Sequence, residues 1–245
     1  HTAAGYTGGG KIIYPGVGGQ LTVSNFHIIS ASLGNLIGDP DNEARLTMEK
    51  WVKTVGLDYI LNAVVTPENK LYKVVAGHFV KAHRVGVKYA REIWGIQSKK
   101  RIDIAIVSSH PADLDFWQGG KGIVNCEKAI PDGGFLILVT PCYEGVGPHL
   151  EYIDYISNNE PEKLIKETRE SKKITEGVLP LAVGLAVARV RKRINIAVIS
   201  DGLSKEDIER SGLLYFKTIG DAVQYGLKKF GNDANIAVIP VGGGS

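Results

Sequence analysis

Three glycines carry a lysine, Gly8-Gly9-Gly10-Lys11, between two histidines, His1 ten residues before it and His27 sixteen after it. Glycine has no Cβ and enters φ > 0 freely, so such a run lets the backbone pass close to a ligand and presents the lysine to it. Histidine titrates near neutrality and can take up and return a proton. Gly5-Tyr-Thr-Gly-Gly-Gly10-Lys11 also satisfies G-x-x-x-x-G-K. Ile12, however, stands where a phosphate-binding loop needs Ser or Thr for Mg²⁺, and Pro15 and Gly16 break the helix that would have to follow. A nucleotide-hydrolysing loop is therefore not supported, and a plain glycine turn with an exposed lysine remains the bland alternative.

A second cluster reads Ser108-Ser-His110-Pro-Ala-Asp113-Leu-Asp115-Phe-Trp117-Gln118-Gly-Gly-Lys121. It follows an apolar run with strand character, and in open α/β sheets ligands sit at the carboxyl ends of strands. Gln118 and Lys121 are three apart, so on a helix they share a face, where an ammonium suits a carboxylate or phosphate. The alternative is an ordinary solvated lysine, with Trp117 a packing residue. A third cluster, Thr140-Pro-Cys142-Tyr-Glu144-Gly-Val-Gly147-Pro, follows the next apolar run and lacks the G-x-G-x-x-G of a dinucleotide site. Cys142 and Glu144 are candidates by position only. His78, His83 and His149 read as structural histidines.

The elements that must position these groups are legible as patterns. Four short runs rich in Ile and Val, 102–107, 135–139, 194–199 and 236–239, are continuously apolar, which suits parallel strands buried on both faces. Helical patterns lie over 121–130, 161–173, 179–192, 205–211 and 220–230. The alternation predicts an α/β architecture with mostly parallel sheets, in two domains. Residues 24–29 and 57–66 have strand character in the first part, and 44–55 and 81–94 look helical. The polar stretch at 96–100 predicts the boundary. Residues 1–97, joined by a returning 232–245, form part of one domain, and 98–231 form a second α/β domain.

Composition narrows the partners. With 29 basic and 26 acidic residues the net charge is only +3, which implies neither a nucleic-acid nor an anionic-membrane partner. Lys99-Lys100-Arg101 and Arg191-Lys192-Arg193 each precede an apolar run and read as solvated helix ends. Two cysteines without C-x-x-C spacing fit a reducing, cytoplasmic compartment, and no 18-residue apolar stretch or export leader is evident. The chain begins at His rather than Met, and is expected to be a fragment of a longer protein.

Taken together, H-x₉-K-x₁₅-H around T-G-G-G-K-I-I-Y-P-G, then S-S-H-P-x-D-x-D-F-W-Q-G-G-K, then P-C-x-E-G-V-G, resemble the nickel-pincer-nucleotide lactate racemase family. The resemblance runs from His1 to the terminal I-A-V-I-P-V-G-G-G. It implies that Lys11 forms a covalent thioamide with a pyridinium nucleotide, and that His27 ligates nickel also held by two sulfurs and a pyridinium carbon. It makes His1 one of two acid/base histidines and has Gln118 and Lys121 contact the substrate, a small 2-hydroxy acid. Neutral imidazole suits nickel, histidine suits the hydroxyl proton, and Lys121 complements the carboxylate. The implied reaction moves the Cα hydride to the cofactor and returns it to either face, so that the cofactor carries the hard chemistry. The stretch that in the family supplies the second histidine and an Asp/Arg phosphate motif is absent, so a missing N-terminal portion is the expected partner and the fragment alone is expected to be inactive. No tryptophan lies in 179–185, where the lactate enzyme has one, so other 2-hydroxy acids come into view. The rival expectation is a non-catalytic α/β module that binds a phosphorylated or carboxylated ligand.

Overall fold

The computed structural model describes residues 4–34, 37–95 and 100–244, and His1 and the predicted boundary at Gln97 lie outside them. The chain forms two compact units, one of His1–Gly95 with Ile165–Ala182, the other of Ile96–Leu164 with Val183–Ser245.

The first unit contains α1 (Gln20–Ser32), α2 (Glu43–Val55), β1 (Tyr59–Val65), β2 (Leu71–His78) and α3 (Phe79–Trp94). Asn42 caps α2 by accepting from the Arg45 N–H at 2.8 Å, and Gly56 ends it at φ 90°. β1 and β2 pair antiparallel from Tyr59↔His78 to Val65↔Leu71. Phe26, Met48, Val52, Ile60 and Phe79 form the core between the helices and one face of this hairpin. Residues 24–29, expected as a strand, are the middle of α1. Their β-branched residues favour a strand locally, but Ser24, Ile28 and Ala31 bury one side at helical spacing, and packing overrides propensity.

The second unit is built on β3 (Ile104–Ser108), α4 (Phe116–Gly119), α5 (Lys121–Cys126), β4 (Phe135–Val139), α6 (Tyr152–Ile156), the first turn of α7 (Pro161–Ser171) and the part of α8 (Val178–Arg193) from Val183 onward. It is completed by β5 (Asn195–Ile199), α9 (Lys205–Arg210), β6 (Leu214–Tyr215), α10 (Ile219–Phe230) and β7 (Ile236–Ile239). The five strands are parallel, in the order β6-β5-β4-β3-β7. Ala105, Val107, Leu136, Leu138, Ile196 and Val198 face one core with Ile123, Val187, Val190 and Ile208. Ile104, Phe135, Ile137 and Ala197 face the other, against Ala222 of α10. Gly226 permits that approach, since a Cβ there would lie 2.7 Å from Ile104 Cδ1.

The last strand corrects an expectation. Residues 232–245 do not return to the first unit, because β7 pairs with β3 from Ile104↔Ile236 to Val107↔Ile239. The similar wording R-I-D-I-A-I-V and A-N-I-A-V-I marks neighbours in one sheet. Asp103 Oδ2 accepts from the Asn235 N–H at 2.9 Å and sets their register. In exchange, Ile165–Ala182 joins the first unit, where Arg169 Nη1 donates to Ser32 Oγ at 2.8 Å.

The basic run before β5 is consumed locally. Arg191 donates to the carbonyls of Ile156, Ser157 and Asn158 at the end of α6, and Arg193 to those of Glu127 and Ile130. Cations at helix C-termini satisfy orphan carbonyls and the dipole together. Among the described residues no helix is long and apolar enough to cross a membrane.

Candidate functional site

In the first unit the glycine run is a tight loop that ends in a 3₁₀ turn over Gly9–Ile12. Gly5, Gly8 and Gly9 all have φ between 58° and 81°. What crowds them is the scaffold itself. A Cβ at Gly8 would sit 3.0 Å from Asn62 Nδ2, at Gly9 2.8 Å from Arg45 Nη2, and at Gly10 3.1 Å from Met48 Sδ. The glycines expected to clear space for a ligand also let the loop lie against α2, α3 and β1.

Four successive loop carbonyls are held by side chains. Arg45, wholly buried, donates to Gly5 O at 3.2 Å, Tyr6 O at 2.7 Å and Gly8 O at 3.0 Å. His83 donates to Thr7 O at 3.0 Å. Asn62 Oδ1 accepts from the Gly9 N–H at 3.0 Å. Glu49 balances the charge, accepting from Arg45 Nε at 3.0 Å and from Arg84 at 2.8 and 2.9 Å, and Arg84 also reaches Asp41 at 2.8 Å. The sequence reading missed Arg45, Glu49, Asn62 and Arg84, and gave His83 no partner. One signal was available: Arg45 and Glu49 stand four apart on the face of α2 that also carries Met48 and Val52, an ion pair placed on an apolar stripe.

Two histidines of this unit, His83 and His27, have defined tautomers. Arg84 can only donate, so its contact at 3.1 Å makes His83 Nδ1 the acceptor and puts the proton on Nε2. Burial first, then the Arg45 and Arg84 charges, push the His83 pKa down to about 3. Between about 3 and the ordinary 6.5 the unfolded chain binds a proton that the folded chain does not. Unfolding free energy is therefore expected to fall as pH drops through this window, by up to about 1.4 kcal/mol per pH unit from this group. Urea unfolding between pH 7 and pH 4 checks this, and His83→Gln should flatten the dependence. An unchanged slope in the variant would contradict the assignment.

His27, half-buried on α1, donates from Nδ1 to Val23 O at 2.8 Å. A carbonyl can only accept, so Nδ1 carries the proton and the neutral ring keeps its lone pair on Nε2. Burial and the Lys11 charge lower its pKa, and the Val23 bond opposes them. The Lys11 ammonium lies 6.0 Å from the centre of the Phe26 ring and acts electrostatically on both His27 and His83. The Lys11 charge thus reaches the His27 ring beside Phe26. Among the described residues no three His, Cys, Asp or Glu side chains converge as a metal site.

In the second unit the loops after β3 and β4 zip together. Cys142 N donates to Asp113 O, Glu144 N to Leu114 O, Phe116 N to Gly145 O and Trp117 N to Val146 O, all at 2.8–3.0 Å. Asp115 caps α4 by accepting from the Gln118 N–H at 2.7 Å. Gln118 and Lys121 meet, with Lys121 Nζ donating to Gln118 Oε1. No single long helix holds them: Gly120 joins two short helical turns and packs over the buried Tyr152 hydroxyl. Burial lowers the Lys121 pKa and the Asp115 charge opposes it. The pair lies in the loop beyond β3, beside the point where the strand order reverses between β3 and β7.

The other positional candidates have structural explanations. Trp117 packs on His149 and Tyr152, with ring centres 4.6 and 5.2 Å away. His78 caps α3, accepting from the Val80 N–H at 3.2 Å. Cys142 is fully buried, and burial pushes its thiol up to about 11, so it is no thiolate nucleophile. Glu144 is solvent-exposed.

Comparison with known proteins agrees with these motifs. Residues 97–244 match the family model of the lactate racemase C-terminal domain. The chain is 27% identical to a lactate racemase of Thermoanaerobacterium thermosaccharolyticum and 25% identical to one of Lactiplantibacillus plantarum, covering 99% of itself and 58% of each relative. The structure of the first relative's apoprotein superposes with a TM-score of 0.84, covering 99% of this chain and 59% of that one. A Thermotoga maritima protein at 18% identity and a TM-score of 0.69 shares the fold. The chain spans less than two-thirds of the relatives' length, matching their C-terminal portion, and it belongs to the lactate racemase family.

Proposed function

We propose that this chain is the C-terminal portion of a racemase or epimerase that inverts a 2-hydroxy acid with a nickel-pincer nucleotide anchored on Lys11. The observation that carries the reading is the His27 Nδ1 bond to Val23 O, which leaves Nε2 neutral with its lone pair, the state that binds a metal, within electrostatic reach of Lys11. The donor set fits. His27 would be the single protein ligand, and the remaining ligands of a metal held there would come from the cofactor. When bound, the cofactor supplies the acceptor for the substrate's Cα hydride. Lys121 and Gln118 hold the carboxylate, and partial burial of the ammonium strengthens that attraction by keeping out screening water. His1, outside the described residues, takes the hydroxyl proton and returns it.

The test is to incubate the full-length, cofactor-loaded protein with single enantiomers of a 2-hydroxy-acid panel and follow optical rotation. Inversion of at least one acid is expected, and none across the panel would refute the proposal. Lys121→Met is expected to lower kcat/KM about 10²- to 10³-fold, the consequence of truncating one member of a partly buried charge pair. Steady-state kinetics check this, and a change under threefold would remove Lys121 from the substrate site.

A further inference from the structure

Three carboxylates are buried among the described residues, those of Glu49, Asp115 and Glu127. A buried carboxylate is stable only where cations or hydrogen-bond donors answer it. Glu49 has Arg45 and Arg84, and Glu127 faces Arg193, Lys128 and Arg189. For Asp115, only 8% exposed, the answering groups are the two proposed to hold the substrate. Its Oδ1 accepts from the Gln118 N–H at 2.7 Å. The cation its charge acts on is Lys121, whose Nζ in turn donates to Gln118 Oε1. Gly147, from the loop after β4, closes over the carboxylate. A Cβ there would lie 3.0 Å from Asp115 Cγ and 3.1 Å from Trp117 Cβ. The neighbouring titratable groups do not supply a charge in its place. Burial, with the Asp115 charge adding to it, keeps the Cys142 thiol and the Tyr152 phenol protonated and neutral. Asp113 faces His110 at 3.3 Å, and His149, packed on Trp117, faces Glu151 at 4.0 Å.

We infer that Asp115 is the positioning residue of the Gln118–Lys121 pair, fixing the backbone of the one and compensating the ammonium of the other. The inference rests on the reading of that pair as the substrate's carboxylate contacts. An anion has no reason to meet the carboxylate of a 2-hydroxy acid directly, so Asp115 acts through the pair. In a site partly closed to water a negative neighbour favours the ammonium over the neutral amine, against the burial that opposes it. Without that neighbour Lys121 gives up its proton at lower pH, and loses its hold on a carboxylate with it.

Asp115→Asn and Asp115→Ala divide the two roles. Asparagine caps a helix as well as aspartate does but brings no charge, and alanine supplies neither. On the full-length protein without substrate, competitive acetylation read by mass spectrometry gives the pH at which the Lys121 amine becomes free. Near pH 8 both variants are expected to label Lys121 at least about threefold faster than the parent, through a lower midpoint and with the same rate on the alkaline plateau. Exchange of the Gln118 amide should speed about fivefold in Asp115→Ala and keep the parent's rate in Asp115→Asn. In the cofactor-loaded enzyme, the alkaline limb of kcat/KM is expected to move to lower pH in Asp115→Asn, with KM rising and kcat little changed. An unmoved labelling midpoint would overturn the inference. So would a labelling rate raised equally at every pH, which is the mark of a loosened loop. A moved midpoint with an unmoved kinetic limb would instead remove Lys121 from the substrate and refute that part of the proposed function, while the coupling of Asp115 to Lys121 stands.

Discussion

Lys11→Arg is expected to leave the protein folded and without activity. Arginine keeps the charge that acts on His27 and His83, and Lys11 is only half-buried, so stability should change by no more than about 0.5 kcal/mol. A guanidinium remains protonated and cannot form the thioamide that the proposed anchor requires. After expression with the cofactor-synthesis enzymes, intact mass should show an adduct on the Lys11 peptide of the parent protein and none on the variant. Bound nickel and racemisation should both fall to background, because the cofactor carries the hard chemistry. An adduct or undiminished nickel in the variant would sink the anchoring role.

The largest effect on stability is expected from Arg45→Met. The substitution leaves the carbonyls of Gly5, Tyr6 and Gly8 without their donor and Glu49 without one of its two cations. Removing one member of a buried ion pair costs about 3–5 kcal/mol, which is much of the 5–15 kcal/mol that holds an ordinary domain together. Urea unfolding, with exchange of the 4–12 amides as a local probe, measures the loss. A cost below about 1 kcal/mol would show that the loop keeps its shape by other means. The Lys11 reading and the Arg45 reading are separable, since the first variant loses chemistry in a stable fold and the second loses the fold of the loop.

The strands legible in the sequence have distinct physical settings. β4 coincides with the apolar run 135–139 because a central strand of a parallel sheet has no wet face to interrupt the pattern, whereas β7, over 236–239, is an edge strand that keeps an apolar run with Ile236 and Val238 exposed. The hairpin strand β2 was not legible. Its outward residues are apolar and its inward ones include Lys73 and Gly77, so no alternation appears. α1 was misread because residues 20–32 carry Val and Ile at positions whose helical burial only the packing partner reveals. The pairs Lys11–His27 and Gln118–Lys121 were found by type and spacing; the second meets in a hydrogen bond, and in the first the Lys11 charge reaches the His27 ring. The support of the Lys11 loop escaped because Arg45, Asn62 and His83 act across 37 to 76 residues of chain, beyond any local pattern.

That separation also sets an order in time. Lys11 is synthesised before Arg45, Asn62 and His83, so the bonds that hold the loop presenting it form only once all three are in place. Long-range contacts of this kind pay their loop-closure entropy late in folding. On the proposed anchoring, whatever attaches a group to Lys11 meets the supported loop only after residue 83 has been synthesised and has docked on it.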